Sequence, residues 1–365
     1  MLGRWWDTLR AWPYTFGVLL AAAIGVTAVA LSAYVGSPLK DPEGFLGPAY
    51  VRLPLIGLGF FALGVIPMAV RRAGWRHIWR GVRDIVRDEW SWGRIGYIAT
   101  GLIAFYVCYV SYRNIKGFLP VLRADVNFDT MLSRWDYWLM FGHHPATLLH
   151  NLLGTTVSAQ VLATVYVSYL MLIPITLGAF LVLNRDYTLG AWYATALSLN
   201  WVLGTISYYI LPSLGPAYSN ATLFDDLPTT GVTQLQHSLF VNAAQNIENP
   251  TNAPIWGIAA FASLHVSVTM TACLFFQRTD QPRFIQVTAW VYFVLTVIAT
   301  IYFGWHFIAD DVAGAFIGWL SVAIGGWATG NGFWHQRHHH VQLTAEGEDD
   351  APDAESTSGT LANPT

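Results

Sequence analysis

The sequence predicts an all-α, polytopic membrane bundle of about eight spans. Three observations carry this. Of the 365 residues 54% are hydrophobic and only 11% are charged, where a soluble domain carries about 25% charge. Mean hydropathy is +0.41. Seventeen Trp and 17 Tyr suit aromatic belts at two membrane interfaces. The net charge of −3 excludes a strongly basic nucleic-acid binder. Cys108 and Cys273, the two cysteines, lie in apolar runs far apart, which suits small core residues and neither a disulfide framework nor a zinc site.

Crossing a hydrocarbon core of about 30 Å takes about 20 apolar residues. Eight runs qualify: Tyr14–Val35, Val51–Val70, Ile95–Tyr112, Val157–Leu183, Ala191–Leu211, Trp256–Phe276, Phe284–Phe303 and His306–Thr329. The first follows Arg4 and Arg10 and ends among small residues, so a cleaved signal peptide is its rival reading. Its length favours an uncleaved anchor. The chain divides into residues 1–94 (two spans and a basic loop), 95–329 (a six-helix core) and 330–365 (a tail).

Basic residues set the orientation. The loop Arg71–Arg94 holds seven arginines, and placing it in the cytoplasm puts 13 of the 19 basic residues inside. Lys40, Arg52, Arg113, Lys116, Arg123 and Arg134 then lie outside, and both termini are cytoplasmic. Phe118–Phe141 has apolar positions at three- and four-residue steps, as an amphipathic interfacial helix does. Asp125, Asp129 and Asp136 are expected on its wet face. Phe224–Pro254 is polar and punctuated by Pro228, Gly231, Pro250 and Pro254, which predicts an external loop or cap. The acidic tail Gly347–Thr365 predicts disorder.

Two stretches interrupt the apolar pattern: Ala262-Ser263-Leu264-His265 and Gly304-Trp305-His306-Phe307-Ile308-Ala309-Asp310-Asp311. The predicted topology brings His265 and His306 to the same outer face at similar depth. On a helix, His306 and Asp310 share a face, with Cβ atoms about 5–6 Å apart. Such a carboxylate fixes the imidazole tautomer and frees the other nitrogen as a nucleophile. Asp311, rotated by about 100° on a regular helix, is expected to have no part in this. A carboxylate in lipid costs about 2.5–3.5 kcal/mol, so two adjacent ones imply a wet pocket or an interface. His265 is placed to protonate a leaving oxygen.

At these residues the chain resembles the type 2 phosphatidic acid phosphatase superfamily of membrane phosphatases and phosphotransferases, and most of all its branch containing inositol phosphorylceramide synthases. Ser263-Leu264-His265 is similar to the second of three motifs, with Ala262 in place of a proline. His306 and Asp310 match the third, and Leu211-Pro212-Ser213-Leu214-Gly215-Pro216-Ala217-Tyr218 resembles the branch's version of the first. The similarity covers about Ile95 to Thr329. It implies a metal-independent phosphotransferase of the inositol-phosphoryl type, without cofactor. His306 would form a phosphohistidine, Asp310 orient it and His265 protonate the leaving group, on a membrane lipid substrate with a phosphate-bearing lipid donor. A lipid-phosphate or polyprenyl-diphosphate phosphatase is the alternative within the family. The implied site faces the extracytoplasmic side of the cell membrane, with no obligate protein partner.

Two departures bear on phosphate binding. Leu211–Tyr218 has no basic residue, and Ala299 and Thr300 stand where the third motif often has Ser-Arg. A phosphate needs donors and positive charge, and Arg113 and Lys116, at the outer end of the third span, are the first candidates, with Arg123 and Arg134 on the same face. Ser263 offers a hydroxyl, and Tyr218 and Tyr302 suit a lipid entrance. His143, His144 and His150 resemble three metal ligands but lack a completing carboxylate. His335, His338, His339 and His340 read as a solvated juxtamembrane run. The rival classes are a haem protein using His265 and His306 as axial ligands and a transporter with Asp310 and Asp311 on a proton path.

Overall fold

The computed structural model describes residues 12–44, 47–248 and 258–332. The basic residues Arg4 and Arg10, the start of the predicted sixth span at Trp256, the histidine run from His335 and the acidic tail lie outside them. The first half forms α1 (Thr15–Val35), α2 (Ala49–Ala73), α3 (Ile78–Glu89), α4 (Trp92–Leu122), α5 (Asp129–Leu139) and α6 (Pro145–Leu153). The second forms α7 (Val157–Gly178, continued by a π-helical turn Ala179–Leu183), α8 (Tyr187–Ile210), α9 (Pro216–Ser219), α10 (Gly231–Glu248), α11 (Leu264–Arg278), α12 (Arg283–Tyr302) and α13 (Ile308–Ala328). A two-residue antiparallel ladder pairs Glu43–Gly44 with Gly47–Pro48.

Among the described residues, six helices are long and apolar enough to cross a membrane: α1, α2, α4, α7 with its π turn, α12 and α13. The two other expected spans depart from the pattern for different reasons. Helix α8 has the length, but it is the centre of the bundle, packed against α1, α4, α11 and α13. A helix surrounded by protein can carry polar side chains that lipid would penalise, and Thr195, Ser198, Asn200, Thr205 and Ser207 are all buried there. Helix α11 has only 15 residues, about 22 Å of rise. Ser263 stops it at the N-terminal end by accepting the Val266 amide at 3.4 Å, and the preceding residues from Ile258 are not helical.

Polar contacts tie this centre together. Asn200 donates to Thr271 Oγ1 (2.9 Å) and accepts from Ser267, and Trp192 Nε1 donates to the Val322 carbonyl (2.9 Å). Helices α11 and α13 approach closely because Gly314 and Gly318, four apart, have no side chain. A Cβ on either would strike the carbonyl oxygen of Ser263 or Ser267. This is small-residue packing of the kind that joins membrane helices. Cys108 and Cys273 are free and buried, as expected of small core residues.

Two expectations are corrected. The segment read as a loop or cap contains helix α10, started by a reciprocal pair in which the Thr230 amide bonds Thr233 Oγ1 (2.8 Å) and the Thr233 amide bonds Thr230 Oγ1 (3.2 Å). Val232, Leu235 and Leu239 pack it against Tyr166, Tyr302 and Trp305. Two aspartates expected on a wet face are also buried: Asp129 and Asp136 are 4% and 3% exposed and share their side of α5 with Leu132, whereas Asp125 is exposed.

Charge is segregated along the bundle. Glu89 bonds Arg72 (2.8 Å) and Arg185 (2.9 Å), which brings the arginine-rich segment and the α7–α8 connection to one end. Arg94 sits at that end, donating to the carbonyls of Glu89 and Val182. Lys116, on the same helix 22 residues later, is about 33 Å away.

Gly318→Ala should lower stability by about 1–3 kcal/mol, seen as a lower unfolding midpoint in detergent. Gly96→Ala, where a methyl meets nothing within 4 Å, should leave the midpoint unchanged or raise it.

Candidate active site

Three breaks in helical structure meet at the end of the bundle away from the arginine-rich segment. Helix α8 ends at Ile210 and runs into Leu211–Gly215; Ile258–Ser263 leads into α11; Phe303–Phe307 leads into α13. Each break exposes backbone groups that must find partners inside protein. Asp129 accepts the amides of Leu214 and Gly215, each at 2.9 Å. Ser213 accepts the Phe261 amide (3.0 Å), and its carbonyl accepts the Ala260 amide (2.9 Å). Ser207 accepts the Ala262 amide (2.9 Å). The Ala217 amide bonds the Gly304 carbonyl (2.8 Å). Gly215 is required where it stands: its φ is +95° and a Cβ there would strike the Trp305 carbonyl oxygen.

This framework brings together His265, from α11, and His306, from the segment ahead of α13, with ring centroids 6.2 Å apart. His306 is 5% exposed. His265 is in the first turn of α11 and lies against Tyr166 (4.3 Å) and Tyr169 (4.2 Å). Tyr166 in turn stacks on Trp305 at 5.4 Å and 5°.

The carboxylates divide their work differently from the spacing argument. His306 is not helical: α13 begins at Ile308, with Phe307 as an extended N-cap. The one-face argument for His306 and Asp310 therefore does not apply. Asp310 Oδ2 accepts the Phe307 amide at 2.9 Å and lies 3.6 Å from His306 Nδ1, beyond hydrogen-bond range. Asp311, which the helix-rotation argument set aside, is an electrostatic partner of His306. It accepts Thr300 Oγ1 at 2.9 Å, and Ser263, which caps α11, is among the groups acting on it.

Lys116 acts electrostatically on both histidines, and its Nζ lies 5.0 Å from the Tyr208 ring centroid. Arg113 neighbours Lys116. Arg134 lies exposed on α5 and Arg123 follows the end of α4. Tyr218 packs between Trp305 and Phe240. Tyr302 is buried and donates to the Gly154 carbonyl (2.7 Å). His150 bonds the Tyr302 carbonyl (2.8 Å). Among the described residues no group of three or more His, Cys, Asp or Glu side chains is arranged to hold a metal.

A family model described as the PAP2 superfamily matches residues 130–324, more than half of the chain. The chain belongs to the PAP2 superfamily. No curated protein and no solved structure matches it. With its membrane-type helices, this PAP2 membership points to a lipid phosphatase or phosphotransferase. The matched region holds all three converging breaks and both histidines. It also starts beside Asp129 and takes in α5, whose aspartates sequence reasoning placed on a wet face.

Asp136 accepts the Ile308 amide (3.1 Å), two residues after His306, and with His306, Phe307, Ser133, His144 and Asn220 it lines a cleft. Burial pushes its carboxyl up to about 7; the Ile308 amide works against the rise and Asp310 adds to it. No signal in a single sequence separates a buried amide acceptor from a wet-face acid at the same helical spacing. The Gly314–Gly318 spacing, by contrast, was a readable signal.

Asp129→Ala should leave the Leu214 and Gly215 amides without acceptors, costing about 1–3 kcal/mol for each group, measured by thermal unfolding in detergent. Asp129→Asn, which keeps an acceptor oxygen, should recover part of the loss.

Proposed function

We propose that this PAP2 protein is an integral membrane phosphotransferase of the inositol-phosphoryl type, acting on lipid-linked phosphate through a phosphohistidine at His306. The observation that carries the reading is the meeting of His265, from α11, and His306, from the segment ahead of α13, with Lys116 acting electrostatically on both. The His306 lone pair attacks phosphorus, and the bond to the leaving oxygen breaks as His265 gives that oxygen a proton. An acceptor hydroxyl then attacks the phosphorus and yields its proton to His265, while the P–N bond returns its pair to His306. Asp310 and Asp311 stabilise the positive imidazole that the first step creates. Lys116 with Arg113 supplies charge for the phosphoryl oxygens, and Tyr218 with Phe240 offers an apolar wall to the lipid.

Transfer is favoured over hydrolysis because His306 is almost wholly buried, and exclusion of bulk water protects a reactive intermediate for an alcohol acceptor. The placement is extracytoplasmic, because the site lies at the opposite end of α4 from the arginine-rich segment, which the positive-inside rule puts in the cytoplasm. The mechanism needs no metal.

The test is product analysis on the full chain in nanodiscs, with EDTA present, using phosphatidic acid, a polyprenyl diphosphate and phosphatidylinositol as donors. His306→Ala should lower turnover by about 10³-fold or more and His265→Ala by about 10²–10⁴-fold. A transferred head group identifies the transferase, and free phosphate alone identifies the phosphatase. Equal turnover in wild type and His306→Ala would remove His306 as nucleophile.

A further inference from the structure

Helix α5 touches the site at two points two turns apart. Asp129, at its first position, holds the break at Leu214 and Gly215. Asp136 holds the Ile308 amide with both carboxylate oxygens, at 3.1 and 3.4 Å. Ile308 opens α13, and the two residues before it, Phe307 and His306, are not helical. The backbone that follows His306 is therefore held at two successive amides, Phe307 by Asp310 and Ile308 by Asp136. These are two consecutive free amides of a helix N-terminus, the groups that most favour an anionic acceptor.

Building on the proposed function, we propose that Asp136 is a positioning residue that fixes His306 for attack by holding the Ile308 amide, and that its ionised form does this. A carboxylate bonds a helix N-terminal amide more strongly than its protonated form does. The groups facing Asp136 are Asp310 from α13, and His306 and His144 from the segments ahead of α13 and α6. On its own helix Asp129 is turned to Leu214 and Gly215, and Arg134 is exposed. With its carboxyl pushed up to about 7, the residue gains its charge, and with it the stronger grip, as pH rises through neutrality. Asp136→Asn keeps an oxygen for the amide but cannot titrate, and Asp136→Ala removes the acceptor.

The experiment uses the full chain in nanodiscs and two readouts on the same samples. One is the rate at which diethyl pyrocarbonate modifies His306, measured by peptide mass spectrometry against exposed His237. The other is turnover with the donor panel above. Asp136→Ala should change the relative modification rate of His306 by about threefold or more and lower kcat about tenfold with little change in KM, the size of effect that sub-ångström misplacement of a reacting group produces. Asp136→Asn should restore most of both. The ratio of wild type to Asp136→Asn should rise for turnover between about pH 6 and about pH 8, and for the His306 modification rate it should move over the same interval away from its value at low pH.

An unchanged relative modification rate in Asp136→Ala, or an Asp136→Asn variant as impaired as Asp136→Ala, would overturn the positioning role. A ratio that stays flat across neutrality would overturn the role of the charge. Should Asp136→Ala fail to fold, the wild type to Asp136→Asn ratio decides alone. Silence of wild type towards every donor would count against the proposed function, while the His306 modification rates would still decide this inference.

Discussion

Non-helical backbone buried inside an apolar bundle has no water to bond, and this site contains three such stretches side by side. The chain meets the demand with side chains that accept hydrogen bonds from amides. Asp129, Asp136 and Asp310 each take one or two, and Ser207, Ser213 and Ser263 take others. An amide left unpaired in such a place costs about 1–3 kcal/mol, so the acceptors are a condition for opening the helices where chemistry needs them open. The histidines depend on this arrangement, since His265 follows one break directly and His306 lies within another.

The same carboxylates give the site an unusual electrostatic balance. Asp136, Asp310 and Asp311 all gather at the N-terminus of α13, where the helix dipole favours negative charge. His306 lies among them, and position 300 holds a threonine bonded to Asp311 where the superfamily's third motif often has arginine. In the proposed reaction a phosphate would meet Lys116 and Arg113 as its cations, so much of the stabilisation of its charge would come from hydrogen-bond donors and from histidine protonation.

Much of the architecture was legible because lipid imposes a strict rule on sequence: spans facing it must be long and apolar. Helices α1, α2, α7, α12 and α13 stand within a few residues of the runs Tyr14–Val35, Val51–Val70, Val157–Leu183, Phe284–Phe303 and His306–Thr329. The rule fails where a helix faces protein or stops early, as α8 and α11 do. The pairing of His265 with His306 was legible from topology, because both were expected at one end of the bundle. The contact of His306 with Asp310, at 3.6 Å, was legible from their spacing; the nearness of Asp311 was not, since the spacing argument assumed a helix through residue 306 and the helix begins at Ile308. The burial of Asp129 and Asp136 was hidden for a related reason. Their acceptor role depends on amides more than 80 residues away in the first case and more than 170 in the second, which no local pattern encodes.

The two tyrosines against His265 have a consequence for proton traffic. Tyr166 and Tyr169 come from α7, not from the helix that carries His265, and their rings lie 4.3 and 4.2 Å from the imidazole. Turning that ring over would require both neighbours to move, and Tyr166 is itself backed by Trp305. If His265 carries the proton as proposed, it does so through a single port. In the proposed reaction, the nitrogen that releases a proton to the departing oxygen is the one that collects it from the incoming hydroxyl. Departing and arriving groups then pass through the same mouth in turn, and the second substrate waits for the first product to clear.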